Sequence, residues 1–194
     1  METEKLLENF EKYSSLFRKY FPCAGASKLL DDLGVRITTA PRGMKEDEGG
    51  SPGSLVDFSL RVTLIANDHS KLFEARQGEN SVDRKSVARI SLAHELGKIG
   101  SESEDLFVPQ ESQWHREKLG QRFKYNENCP KMSVGHRSLF HLQNYGIRVT
   151  PEEWLSILVA QGLHFPENAF YGNSLPTEGK ILHFARSIAL DHNI

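Results

Sequence analysis

Apolar residues recur at helical spacing along most of this chain, and no stretch shows the strict alternation of a half-buried strand. The cleanest set is Ile181, Phe184, Ala185, Ile188 and Ala189. Their spacing of i, i+3, i+4, i+7 and i+8 puts all five on one helical stripe. A second stripe, Leu6, Phe10, Tyr13, Phe17 and Tyr20, predicts an N-terminal helix within residues 1–25. Pro22 ends it, because the residue before a proline is pushed out of the helical region. Further helices are expected from about Leu55 to Asn67 and from about Ser86 to Leu96. The latter carries Val87, Ile90, Ala93 and His94 on one side, with Gly97 and Gly100 around its C-terminal end. Another should run from Ser133 to Gly146. The best punctuated begins at Thr150, a good N-cap. Pro151 suits the first helical position, Glu153 can complete a capping box, and Leu155, Leu158 and Val159 continue the apolar face to about Leu163.

Two stretches break the helical pattern. Residues 38–54 are dense in Gly, Pro and Ser and read as one long mobile loop. Residues 101–130 are polar, contain Pro109, Gly120 and Pro130, and read as an irregular insertion. No internal repeat is visible. The 194 residues are therefore expected to form one all-α domain, 1–194, with five to six helices.

Composition narrows the function classes. Hydrophobic residues make up 38% and charged residues 26%, as in ordinary globular chains. No run approaches the ~20 apolar residues needed to cross a bilayer. The N-terminus is charged from its second residue, unlike a signal peptide, so the expected compartment is the cytoplasm. A net charge of −2 supplies no basic face for nucleic acid. Cys23 and Cys129 stand far apart with no CxxC pair, which fits two reduced thiols.

The chemistry-bearing segment is Ala93 to Gly100, where His94 and Glu95 adjoin near the end of an apolar helix. Imidazole and carboxylate together suit divalent transition metals. Lys98 could meet a phosphate as a point charge. A histidine on an apolar face is also a common satisfied core residue.

This segment resembles the His-Asp-Leu-x-Lys-Ile-Gly signature of the HD superfamily of metal-dependent phosphohydrolases. Four other segments resemble that family in the same order. Gly53 to Val62 is similar to the Gly-Gly-Leu-Val-Glu-His-Ser-Leu-x-Val helix that brings the first histidine ligand. Gly135-His136 resembles a Gly-His-Gly-Glu-Lys-Ser segment. Val149 to Gly162 resembles a Leu-Thr-x-Glu-Glu-x-x-Ala-Ile-x-x-His-x-Gly helix. Ile181 to Ala189 resembles Leu-Leu-His-x-Ala-Asp-x-x-Ala, which carries the last aspartate. The resemblance implies an HD-like helical bundle, a bacterial or phage source and, for a phage protein, the host cytoplasm or the virion.

The departures from the pattern carry the functional expectation. Phe58 stands at the first histidine position, Glu95 at the aspartate of the HD pair, Ala160 at a later histidine and Arg186 at the last aspartate. Only His94 and His136 match. The resemblance implies that these six side chains converge. Phe58 and Ala160 offer a cation no lone pair, and Arg186 repels one. No metal is therefore expected, and His94, Glu95 and His136 are the donors if a divalent ion is bound. His69, His141, His164, His183 and Asp191 are spare donors, but His164 and Asp191 lie too far along the chain from Ala160 and Arg186 to replace them. Arg186 is expected to pair with Glu95. The alternative is an anion cradle built from Lys98 and Arg186 beside the histidines. Three functions follow: a non-catalytic binding or structural protein acting on a protein partner or a second copy of itself, a metal-independent nucleotide or phosphate binder using Lys98 and Arg186, or a phosphohydrolase of nucleotide phosphates with altered ligands, in which His94, Glu95 and Lys98 act.

Overall fold

The computed structural model describes residues 3–191. Met1, Glu2 and residues 192–194, which the expected N-terminal helix and domain include, lie outside the described residues. The described chain is mostly helical, with one two-stranded sheet. Its helices are α1 (Thr3–Tyr20), α2 (Ala24–Thr39), α3 (Ser54–Gln77), α4 (Arg84–Ala93), α5 (Gln113–Leu119), α6 (Val134–Asn144), α7 (Pro151–Leu158), α8 (Pro166–Ala169) and α9 (Thr177–Asp191). Among the described residues, no helix is long and apolar enough to cross a membrane.

The apolar stripes turn inward as their spacing demands. Tyr13 and Phe17 of α1 are fully buried, and the Tyr13 hydroxyl donates to the Leu92 carbonyl at 2.8 Å, tying α1 to α4. Ile181, Leu182, Ala185 and Ala189 of α9 join the same core, and α9 packs along α3, α4 and α7. The capping box at the start of α7 forms on both sides, between Thr150 and Glu153.

Several boundaries differ from the sequence reading. Residues 24–39 form α2, whose Ala26, Leu29, Leu30, Leu33 and Ile37 are buried. Its two glycines are sites of close approach. A Cβ at Gly25 would collide with the Tyr145 carbonyl oxygen, and one at Gly34 would press on the Phe10 ring. Helix α3 continues to Gln77 rather than stopping near Asn67. Its last part stays in place because Ser70 is buried and the His69 ring stacks on Phe184 of α9 at 4.1 Å. Helix α4 ends at Ala93 instead of Leu96, and a 3-10 turn, Leu96–Ile99, follows.

The two breaks in the pattern belong together. The 38–54 stretch is a loop only from Ala40 to Gly53, interrupted by a 3-10 turn at Glu46–Glu48. The 101–130 stretch is not irregular: it holds strand β1 (Phe107–Pro109), α5 and strand β2 (Phe123–Tyr125). The strands pair antiparallel, Phe107 opposite Tyr125. The Met44 carbonyl accepts from the N–H groups of Arg122 and Phe123, and Lys45 bridges to Gln121. Leu106, Phe107 and Cys129 are buried with Met44 and Phe123 against them, a small apolar cluster separate from the main core. The loop and the hairpin thus form one lobe on the helical bundle.

Candidate functional site

His94 and Glu95 follow the last residue of α4, and the 3-10 turn after them sets the geometry of the site. Side chains three apart eclipse in a 3-10 turn. Lys98 is therefore brought over Glu95, three residues earlier, and its Nζ lies 2.7 Å from Glu95 Oε2. The turn can seat against α6 because residue 97 is glycine, where a Cβ would collide with the Val134 carbonyl oxygen. The Gly97 N–H donates to Ser138 Oγ at 2.8 Å, and Ser138 donates to the His94 carbonyl at 3.2 Å, which fixes the turn.

Glu95 is fully buried and is the hub of a closed network. Arg186 of α9 donates to its Oε1 from Nε at 3.2 Å and from Nη2 at 3.0 Å. Gln161 donates to the same oxygen from Nε2 at 3.0 Å, and its own Oε1 accepts from Arg186 Nη2 at 2.9 Å. Burial alone would push the Glu95 carboxyl up. The Lys98 ammonium and the Arg186 guanidinium outweigh it and hold the carboxyl well below the usual carboxylate range. Lys98 is itself lowered, by burial, with Glu95 opposing the change.

His94 is fully buried beside this network. Its Nδ1 lies 2.8 Å from the Ser91 carbonyl. A carbonyl only accepts, so Nδ1 carries the proton and Nε2 presents a bare lone pair. That nitrogen has no hydrogen-bond partner and stands 3.6 Å from Glu95 Oε1. Burial pushes the imidazole down to about 4, so the ring is neutral at pH 7. The Phe58 ring packs against it with centroids 6.2 Å apart. Three guanidinium groups surround Phe58, with carbon-to-centroid distances of 4.7 Å for Arg42, 5.8 Å for Arg186 and 5.9 Å for Arg61.

The structure thus brings together Phe58, His94, Glu95, Lys98 and Arg186, from three separate segments, and buries Ala160 next to Gln161. His136 is not among them. Its side chain is exposed at the start of α6 and shares a 2.7 Å hydrogen bond with Ser133 Oγ, which also caps the helix. Three of the spare donors are engaged elsewhere: His141 with the Gly100 carbonyl at 2.8 Å, His69 on Phe184 and His164 on Phe165, whereas His183 Nε2 has no hydrogen-bond partner.

Two participants were not anticipated. Gln161 replaces the expected contribution of residue 160 because α7 stops at Leu158, two residues before the helical spacing was needed. Beyond a helix end the 3.6-residue period no longer says which side chain faces inward. Arg42 lies in the loop between α2 and α3, where no periodicity exists to place it.

A divalent cation does not fit this donor set. Oε1 of Glu95 is taken by Arg186 and Gln161, Oε2 by Lys98, and Phe58 and Ala160 bring no lone pair. His94 Nε2 has no hydrogen-bond partner, and Glu95 Oε2 meets only the Lys98 ammonium. A divalent ion about 5 Å from each permanent cation would meet repulsion on the order of 6 kcal/mol from each at an effective dielectric of about 20.

Beside the network opens a cleft of about 400 Å³ between the lobe and the bundle. Lys98 and Gln161 belong to its floor, so the cleft reaches the network directly. Arg42, Val134 and Gly135 are among its lining residues, and Phe107, Tyr125 and Phe165 are its aromatic ones. No family model matches this sequence, and no curated protein or solved structure matches it.

Proposed function

We propose that this chain is an HD-like protein that no longer hydrolyses phosphate esters and works by binding. The observation that supports the reading is the closure of Arg186 and Lys98 on both oxygens of Glu95. In the HD resemblance this carboxylate would face a metal, and here a guanidinium and an ammonium stand in its place. Phosphate ester hydrolysis needs a strong nucleophile at neutral pH, which a metal supplies by lowering the pKa of water from ~15.7 to about 7. Arginine and lysine stabilise charge but do not deprotonate water. The neutral His94 could serve as a general base, worth typically ~10²–10⁴-fold. That falls far short of the acceleration such hydrolysis demands. The binding partner is a small anionic ligand, a protein or a second copy of the chain.

The test is phosphate release from nucleoside mono-, di- and triphosphates and cyclic nucleotides, with Mn²⁺, Mg²⁺, Ni²⁺, Co²⁺ or Zn²⁺ supplied, beside a His94→Ala control. No turnover above that control is expected. Turnover that disappears in His94→Ala would return the protein to the enzymes.

A further inference from the structure

Helices α6 and α7 turn part of their apolar surface outward. Trp154 is 42% exposed and Phe140 45%. A groove of about 450 Å³ lies between the two helices, with Leu139, Leu142, Ile147, Val149 and Trp154 among its lining residues. Leu142 and Ile147 belong to the main core, so the groove opens onto the core itself. Arg148 and Val149 also line a neighbouring recess of about 340 Å³. The carboxylates of that recess are engaged. Asp83 accepts from the Lys85 and Ser86 N–H groups and caps α4, and Glu153 pairs with Arg89 at 2.7 Å. Its cations Lys85 and Arg148 are not engaged: among the described residues neither forms an ion pair. Glu152, exposed in the first turn of α7, forms none either, although Arg148 is only four residues away. One apolar groove is thus flanked by two cations and a carboxylate that do not meet within the chain.

We propose that this face binds a second copy of the chain, patch to patch about a two-fold axis. In such a pair each copy offers the other the same surface, so the surface must complement itself. Trp154 of one copy enters the α6–α7 groove of its partner, and Glu152 meets the partner's Arg148 and Lys85. Glu152 and Trp154 stand two residues apart at the start of α7, and Arg148 lies where the recess meets the groove, so one α7 start reaches both. Aromatic side chains at a desolvated centre carry most of an interface's energy, and charges at the rim fix its orientation. An unrelated partner would have to bring an acidic group and an aromatic ring at this spacing, and the chain brings both itself. The proposal rests on the reading that the chain works by binding, but the face shares no residue with the Glu95 network.

The experiment is sedimentation velocity on the full chain from micromolar to millimolar concentration. A reversible monomer–dimer equilibrium is expected. Trp154→Glu should weaken the dimer by about thirtyfold or more. Arg148→Glu and Glu152→Arg should each weaken it by about tenfold, because each sets like charges against one another. Mixed in equal amounts, these two single variants should form a mixed dimer tighter than either forms alone, since each new charge then faces its opposite. Circular dichroism checks that the variants are folded. Should Trp154→Glu not fold, the two charge variants and their mixture carry the test. A monomer at every concentration, a dimer unchanged by Trp154→Glu, or a mixture no tighter than the separate variants overturns the proposal and leaves the loss of hydrolysis standing. Phosphate release that disappears in His94→Ala overturns the loss of hydrolysis and leaves the dimer standing.

Discussion

Around Glu95, two cations and an amide close on one buried carboxylate, and each cation has that carboxylate as its partner. In the adjoining cleft, Arg42 is buried over the Phe58 ring, and among the described residues no carboxylate forms a close ion pair with it, although Glu95 and Glu48 act on it from further away. Both regions touch the same Phe58 ring, and Lys98 belongs to both. Burial is therefore common to them, and partner number separates them. A saturated network resists a ligand, because anything entering must displace existing partners. The network is therefore where losing a partner should cost the most stability.

The sharpest way to break this comparison is to remove a network cation. Arg186→Ala leaves buried Glu95 and Gln161 without their shared donor and should destabilise by roughly 3–5 kcal/mol, read as a fall in denaturant midpoint. The double change Arg186→Met with Glu95→Leu removes both charges and should cost less than Arg186→Ala alone. A pair of equal effects would show that Arg186 acts by packing rather than by charge.

Next in size is an acid effect. His94 is held near 4 when folded, against 6.5 for an exposed imidazole. Between these values the unfolded chain binds a proton that the folded chain refuses, so stability falls as pH drops from about 6.5 to about 4. The slope is about 1.4 kcal/mol per pH unit, or about 3 kcal/mol in all. Glu95 adds a loss in the same direction below its ordinary range, because its folded carboxyl is lowered. His141 and His183, also lowered by burial, add to the same window. His94→Asn should therefore flatten the slope between pH 4 and 6.5 in part. An unchanged slope would place the acid sensitivity on the other two.

Gln161→Ala removes one acceptor and one donor from the network while both cations remain. A loss of about 1–2 kcal/mol is expected from urea unfolding. The smallest effect is expected at Arg42. Arg42→Met gives up a contact with Phe58 but also a buried charge with no close ion pair, so the melting temperature should hold or rise. A large fall would mean that Arg42 is a structural partner of Glu95 and that the two regions are one.

Much of the scaffold was readable because it depends on spacing. The stripe of α9 and the capping box of α7 specify their helices from a few residues. Helix α2 has a stripe just as regular, yet Gly25 and Gly34 disguise it, because glycine at a close helix contact looks the same in sequence as glycine in a loop. The hairpin of the lobe was hidden for another reason. Strands of three residues are too short to show alternation, and their stability comes from Met44 and the small cluster beneath them. At the site, Glu95 and Arg186 were legible as a pair because the resemblance put them at facing positions. His136, Gln161 and Arg42 were not, since a helix end and a loop decide where those side chains go.

The central claim is that a guanidinium and an ammonium occupy the place of a metal. It is tested most directly by titrating Mn²⁺ into the metal-free protein and following the ion by electron paramagnetic resonance, with His94→Ala as the control. The account predicts that the free-ion signal of Mn²⁺ rises in proportion to the amount added and is the same for both proteins. Loss of one equivalent of free signal in the natural protein, restored by His94→Ala, would contradict it.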